Sequence, residues 1–410
     1  MSMSANPVYD VVSNQYERFM YPQPIFDLRG WLDNNWQWFD PSHAHRIFWP
    51  DRDYKPALDI LVAGCGTNQA AVLACTNPHA TVVAIDVSQP SLDHHKYLKE
   101  KYLMKNLELH LLPIEEVGSL KRDFDLIIST GVLHHLADPK IGMQALSQCI
   151  RRDGVIALML YAKYGRIGVE ILQSVVRDLG FTQNDTSVML VSDMLGVLPQ
   201  NHPIKSYLNI APDLQFDAGL VDTFLPERDR SFSIDDCIDL VTSSGLVFQD
   251  LFMKSPYYPP SHSASAFHAS VEELPEHKQW SIMERINFNN ACHFFTACRK
   301  DRPTEHYKIN FSAETADQYV PSLRYRCTLN GSKLSRYNWT TNLTQTEAVF
   351  MQHVDGCRTI SEIAALAAQA SVFAEIAPAE LQILAKILFQ LLWRLDFLAI
   401  GLKVPTVLTN

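Results

Sequence analysis

Short apolar runs alternate with longer amphipathic stretches from about residue 55 onward. "LDILVA" at 58–63 is dense enough in apolar residues for a buried strand, and the pattern after it predicts a helix over about 68–76. "TVVAIDVS" gives a second buried strand ending at Asp86. "QPSLDHHKYLKEKYLM" reads as a helix with Pro90 in its first turn. "LELHLL" and "FDLIIST" are two further strands, "DPKIGMQALSQCIRR" a helix and "GVIALMLY" a fifth strand. Strands alternating with helices of this length predict an α/β fold, a parallel sheet with helices on both faces. Such sheets bind ligands at the carboxyl ends of their strands.

The alternation lapses after Tyr161. Residues 162–230 begin with a helical stretch and continue rich in loops and aromatics, an insertion long enough to cap the strand ends. A helix, "IDDCIDLVTSSG", and a strand, "LVFQDLFM", then resume the pattern. A linker, "SPYYPPSHSASAFHAS", and a helical stretch precede a late strand, "ACHFFTACRK". From about residue 301 the character changes. "SLRYRCTLNGSKLSRYN" predicts a hairpin turning at Asn330–Gly331, and helices follow. In the last of them Gln382, Lys386, Gln390 and Arg394 draw a polar stripe, which predicts an amphipathic packed helix and no membrane span. The expected organisation is a lid segment over 1–54, a ligand-binding domain over 55–300 with its cap at 162–230, and a mainly helical domain over 310–410.

Composition narrows the function classes. The 410 residues carry a formal charge of -10, with 47% hydrophobic and 20% charged residues, as expected of a globular chain with a sizeable core. That balance argues against general nucleic-acid binding. Eight scattered cysteines without a C-x-x-C fit a reduced compartment and supply no metal or disulfide framework. No basic, apolar leader opens the chain, so a cytoplasmic location is expected.

The first strand runs into "AGCGTN", placing Gly64 and Gly66 where a ligand can lie against bare backbone. Asp86 ends the second strand, "LLPIEEV" follows the third and "STGVLHHLADP" the fourth. Singly, each has a bland reading: a plain turn, a helix cap, packed histidines. Together and in this order they resemble the class I S-adenosylmethionine-dependent methyltransferases, over roughly residues 55–300. The resemblance implies a Rossmann-like seven-stranded sheet whose last strand is antiparallel, with S-adenosyl-L-methionine as cofactor. It assigns cofactor contacts to Ala63, Gly64, Gly66, Asn68, Asp86, Ile114, Glu115 and Thr130, with Asp86 on the ribose hydroxyls. The chain departs from the pattern at Val62, Asn68 and Pro113, and Glu115 is the substitute for a missing acid. A nicotinamide dinucleotide would need a third small residue after the turn, which is lacking.

For an amine or hydroxyl acceptor a base must take a proton, and His134, His135, Tyr161 and Tyr164 are the catalytic candidates. Tyr16, Tyr21 and Arg166 are assigned to the lid and substrate side, from "NQYERFMYPQP" and "YAKYGR", stretches shared with a methyltransferase subgroup often joined to repeat domains. The aromatic run from Trp31 to Trp49 reads as packing or a substrate cage. "TEAVFMQHVDGCRTISEIAALA" resembles small winged-helix modules, some of which bind peptides. The expected activity is methyl transfer to a protein, peptide or small natural-product acceptor, the first two bound by the C-terminal domain. A catalytically idle cofactor-binding scaffold is the alternative, and a homodimer stays open.

Overall fold

The computed structural model describes residues 10–259 and 265–402. Part of the expected linker, 260–264, and the first nine residues lie outside them. The described chain divides into two compact units. One contains 10–39, 56–251 and 284–302; the other contains 40–55, 252–283 and 303–402.

The first unit is built on a seven-stranded sheet: β1 Asp59–Ala63, β2 Thr81–Asp86, β3 Leu107–Leu111, β4 Phe124–Thr130, β5 Ile150–Tyr161, β6 Leu246–Leu251 and β7 Cys292–Arg299. Their order is β3-β2-β1-β4-β5-β7-β6, and β7 runs antiparallel to both neighbours. β1, β2 and β4 are almost wholly buried, which explains why they read as unbroken apolar runs. Register decides where the chemistry falls. Ala63 pairs with Ile85, so β1 and β2 end level, and the amides of Gly64 and Cys65 both donate to the Ile85 carbonyl. The glycine turn therefore sits beside Asp86. Helix starts are capped by short side chains, as at Asp10, Ser88 and Asp138.

The insertion is more helical than its loop-rich sequence suggests. Helices Ile167–Asp178, Asp185–Val197, Ile204–Leu208 and Asp217–Phe224 enclose a core of their own around Leu172, Val191, Ile204, Val221 and Phe224. The helix Val11–Arg18 is tied to this cap. Arg18 donates to Asp185 and to the Gln183 carbonyl, and Gln183 donates to Gln15. None of these pairs is adjacent in sequence, so helical periodicity alone could not reveal them.

The second unit packs helices Gln345–Met351, Ile360–Ala367 and Pro378–Arg394 around Phe350, Ile363, Leu381 and Phe389. Two small sheets accompany them. β8 Val320–Leu323 pairs with β12 Leu398–Gly401, while β9 Thr328–Asn330, β10 Lys333–Arg336 and β11 Trp339–Asn342 form a meander. The expected turn at Asn330–Gly331 is present, with Gly331 at φ 60°. Its first strand is β9, however, and "PSL" pairs elsewhere. Asp396 enforces that choice: buried, it accepts from the amides of Lys254 and Ser255 and from Arg324 and Arg336, fixing β8 beside β12.

Two other expectations are corrected here. Residues 40–55 do not belong with the lid. Phe48 stacks on Phe252, Arg46 donates to the Gly356 carbonyl and the Leu402 amide to that of Pro50, all within the second unit. On the last helix the polar stripe is half-covered: Gln382 donates to Ser361, and the Arg394 guanidinium lies over Tyr258. Ile383, Leu384 and Ile387 face solvent instead. No helix among the described residues is long and apolar enough to cross a membrane.

A buried acid in the first unit gives this fold a pH signature. Glu284 is 4% exposed and accepts from the Ile234 amide at 3.0 Å. Burial pushes its pKa up from 4.5 to about 7, and the neighbouring His293 is held neutral by burial, at about 4. A raised carboxyl pKa means that the folded state favours the protonated form. Its stabilisation is complete below about pH 4.5 and is lost as the pH rises through about 7. Glu284→Gln keeps an acceptor for Ile234 and abolishes the titration. It should stabilise the fold by roughly 1–3 kcal/mol above pH 7 and leave it unchanged near pH 4.5, as read by denaturant melts.

Candidate active site

The turn after β1 places Gly64 at φ 75° and Gly66 at φ 51°, conformations that side chains resist. Both glycines are also crowded by protein. A Cβ on Gly64 would strike the Val132 side chain, and one on Gly66 would lie 2.9 Å from Pro22 Cδ and 3.0 Å from the Tyr21 carbonyl oxygen. The close approach legible in the sequence is thus made partly by the chain's own lid. Thr67 donates to the Pro22 carbonyl at 2.5 Å, Asn68 donates to that of Gln23 at 2.8 Å, and the Ile25 amide donates to Asn68 at 2.9 Å. Asn68, expected to hold cofactor, spends its amide on this strap.

Strap, turn and strand ends enclose a cavity of about 1090 Å³. Its lining includes Gly64, Gly66, Asp86, Leu112, Ile114, Glu115 and Thr130, all but Leu112 expected from sequence. Asp86 is nearly buried; its two carboxylate oxygens accept from the amides of Gly66 (2.8 Å) and Ser88 (2.9 Å). Burial raises its pKa, and those amides oppose the shift. The Val87 amide and the Cys65 thiol also face the carboxylate. Burial likewise raises Glu115. Ala63 is buried at the strand end and does not line the cavity.

The lining also includes Tyr16, Tyr21, Trp31, His135, Met159, Tyr161, Tyr207 and Asp213, termed the acceptor end. Behind it lies Asp222, 1% exposed, which accepts from Tyr16 at 2.7 Å and from Tyr161 at 3.0 Å. Tyr21 donates to Asp213 at 2.7 Å. Burial, reinforced by Asp222, pushes the pKa of Tyr16, Tyr21 and Tyr161 well up, so these phenols stay protonated and none serves as the base. Neither Asp222 nor Asp213 stood out in the sequence. Their roles come from Tyr16 and Tyr21, 206 and 192 residues away, and from Tyr161, 61 residues away.

His134 and His135, adjacent in sequence, part company in the structure. His134 is fully buried, its ring stacked on Tyr161 at 3.8 Å, and it does not line the cavity. Burial, with His135 and Arg166 nearby, holds its pKa well below 6.5. Arg166 is also buried, 3.6 Å over the Tyr161 ring and bonded to Tyr207 and Asp229. It is a prop beneath the cavity rather than a substrate contact. Tyr164 is outside the lining too, on the turn that leaves β5.

His134, His135 and Asp229 could bring three ligating atoms within 4.8 Å. A metal does not suit them. Nδ1 of His134 accepts from the Tyr161 amide, so the neutral ring carries its hydrogen on Nε2, and the Arg166 cation already pairs with Asp229.

Residues 61–156 match the model of a methyltransferase domain. An uncharacterized protein of Synechococcus is 28% identical over 68% of this chain and 69% of its own length. The malonyl-[acyl-carrier protein] O-methyltransferase of Acetivibrio thermocellus is 32% identical over 27% of this chain and 38% of its own. The structure of PKMT2 from Rickettsia typhi in complex with AdoHcy superposes with a TM-score of 0.63, covering 90% of this chain and 76% of that one at 13% identity, a likeness of fold. The chain carries an S-adenosylmethionine-dependent methyltransferase domain. Part of the cavity lining suits that cofactor: an acid that can accept from a diol, apolar Leu112 and Ile114 for a base, and a turn with no Cβ at its two tightest points.

For this methyltransferase domain, Asp86→Asn should weaken S-adenosylhomocysteine binding by at least about tenfold, the loss expected when a charge-assisted bond is removed. Calorimetry measures it, and an unchanged affinity would remove Asp86 from the ribose site.

Proposed function

We propose that the chain transfers the methyl group of S-adenosylmethionine to a protein, peptide or small natural-product acceptor, with His135 receiving the acceptor's proton. One observation carries this reading: Asp86 and His135 line the same cavity. When bound, the cofactor supplies an already activated methyl, so the protein's work is alignment, exclusion of water and proton management.

His135 is oriented for that last task. Its Nδ1 donates to the Arg228 carbonyl at 2.9 Å, while Arg228 Nε donates back to the His135 carbonyl at 2.7 Å. The neutral ring therefore carries its lone pair on Nε2, which has no partner and lies 4.0 Å from Asp222. Tyr161, clamped between His134 and Arg166, has its ring fixed and presents its hydroxyl beside the same carboxylate. The strap over Gly66 and the cap residues Tyr207, Asp213 and Phe216 form part of the cavity wall.

His135→Ala should lower turnover by about 10²–10⁴-fold while S-adenosylhomocysteine binding persists. The measurement is mass-spectrometric detection of deuteromethyl transfer into a cell extract, beside calorimetry of the same variant. Full turnover without the imidazole would contradict its role.

A further inference from the structure

Three of the four tyrosines that line the cavity share one feature. Tyr16 gives its hydroxyl hydrogen to Asp222, Tyr161 gives its hydrogen to the same carboxylate, and Tyr21 gives its hydrogen to Asp213. A phenol has one hydrogen, and once that is committed the oxygen offers a ligand only lone pairs. His135 Nε2 is an acceptor as well. Toward a ligand these four atoms receive hydrogens rather than give them, while Tyr207, whose hydroxyl accepts from Arg166, keeps its own hydrogen.

Charge points the same way. Asp10, Asp27, Asp86, Glu115 and Asp213 line the cavity, and Arg228 is its only lysine or arginine among the described residues. Arg228 is itself engaged by Asp10 and by the His135 carbonyl. The cations beneath the wall do not reverse the balance, because Arg166 is paired with Asp229, and Asp222 lies behind Tyr16 and Tyr161. A carboxylate entering here would find no donor at Tyr16, Tyr21 or Tyr161 and a field of like charge; an ammonium group would find acceptors and opposite charge.

We propose that the acceptor of this methyltransferase is an amine, bound as its ammonium form by the hydroxyl oxygens of Tyr16, Tyr21 and Tyr161, with Asp222 and Asp213 fixing those hydroxyls. The assignment rests on the methyl-transfer reading above. The ammonium gives one proton to His135 Nε2, and the freed nitrogen pair forms the N–C bond. The C–S bond breaks with its electron pair left on sulfur, and the product leaves as a methylated ammonium. Tyr16 and Tyr21 stand on the N-terminal segment, which supplies two of the three hydroxyls of the amine site.

Three probes of equal chain length separate the alternatives: hexylamine, hexanol and hexanoate, each titrated by calorimetry into the full chain saturated with S-adenosylhomocysteine. Hexylamine should bind and hexanoate should not, with hexanol weaker than the amine. Tyr21→Phe should cost hexylamine about tenfold in affinity and leave S-adenosylhomocysteine affinity unchanged, which also shows that the variant is folded. Asp213→Asn frees the Tyr21 hydrogen from its ionic partner and should narrow the gap between hexylamine and hexanoate. Hexanoate or hexanol binding as tightly as hexylamine, or heat from none of the three, overturns the amine assignment. An absence of S-adenosylhomocysteine binding, with hexylamine still bound, overturns the methyl-transfer reading and leaves the amine site standing.

Discussion

The Asp222 carboxylate, buried on the helix Asp217–Phe224, accepts hydrogens from Tyr16 of the lid helix and from Tyr161 at the end of β5. Three segments remote in sequence meet on that one group. A buried charge is costly unless its lone pairs are used, so the two phenols are what allow it to exist there. In return it fixes both hydroxyls and stands 4.0 Å from His135. Lid position, cap position and the chemistry of the acceptor end are thus one electrostatic arrangement. Arg166 extends it, holding the underside of Tyr161 and the hydroxyl of Tyr207.

The donor end obeys a different constraint, that of backbone approach. Gly64 and Gly66 are required by positive φ, by Val132 and by the Tyr21–Pro22 stretch of the lid. A strand end that must serve both ligand and lid tolerates little variation. Asn68 shows the consequence: in the place of a glycine it has become the anchor of the strap, bonded to Gln23 and Ile25. The departure from the family pattern has a local structural use.

Much of the sheet could be read from the chain because its determinants are local. Apolar runs bounded by Gly64, Asp86 and Thr130 mark three strand ends, and parallel register brings them together whatever the loops do. What escaped was non-local. Asp222 sits mid-helix in "DAGLVDTF", where an acid ordinarily faces water, and only Tyr16 and Tyr161 reveal otherwise. Arg166 looks like a surface cation until its pairing with Asp229 and Tyr207 is seen. His134 and His135 have the same composition-level signal, and one turn of 3₁₀ helix sends one under Tyr161 and the other to the cavity wall. Residues 40–55 escaped for the same reason, since their partners lie more than 200 residues on.

The account stands on a single cavity with its donor site at Asp86 and its acceptor site at His135 and the tyrosines. A crystal structure of the complex with S-adenosylhomocysteine tests this most directly. The account predicts the ribose hydroxyls on the Asp86 carboxylate, the adenine against Ile114, and the sulfur directed toward the end lined by His135 and Tyr16. A ligand whose sulfur points away from that end, or whose ribose avoids Asp86, would contradict it.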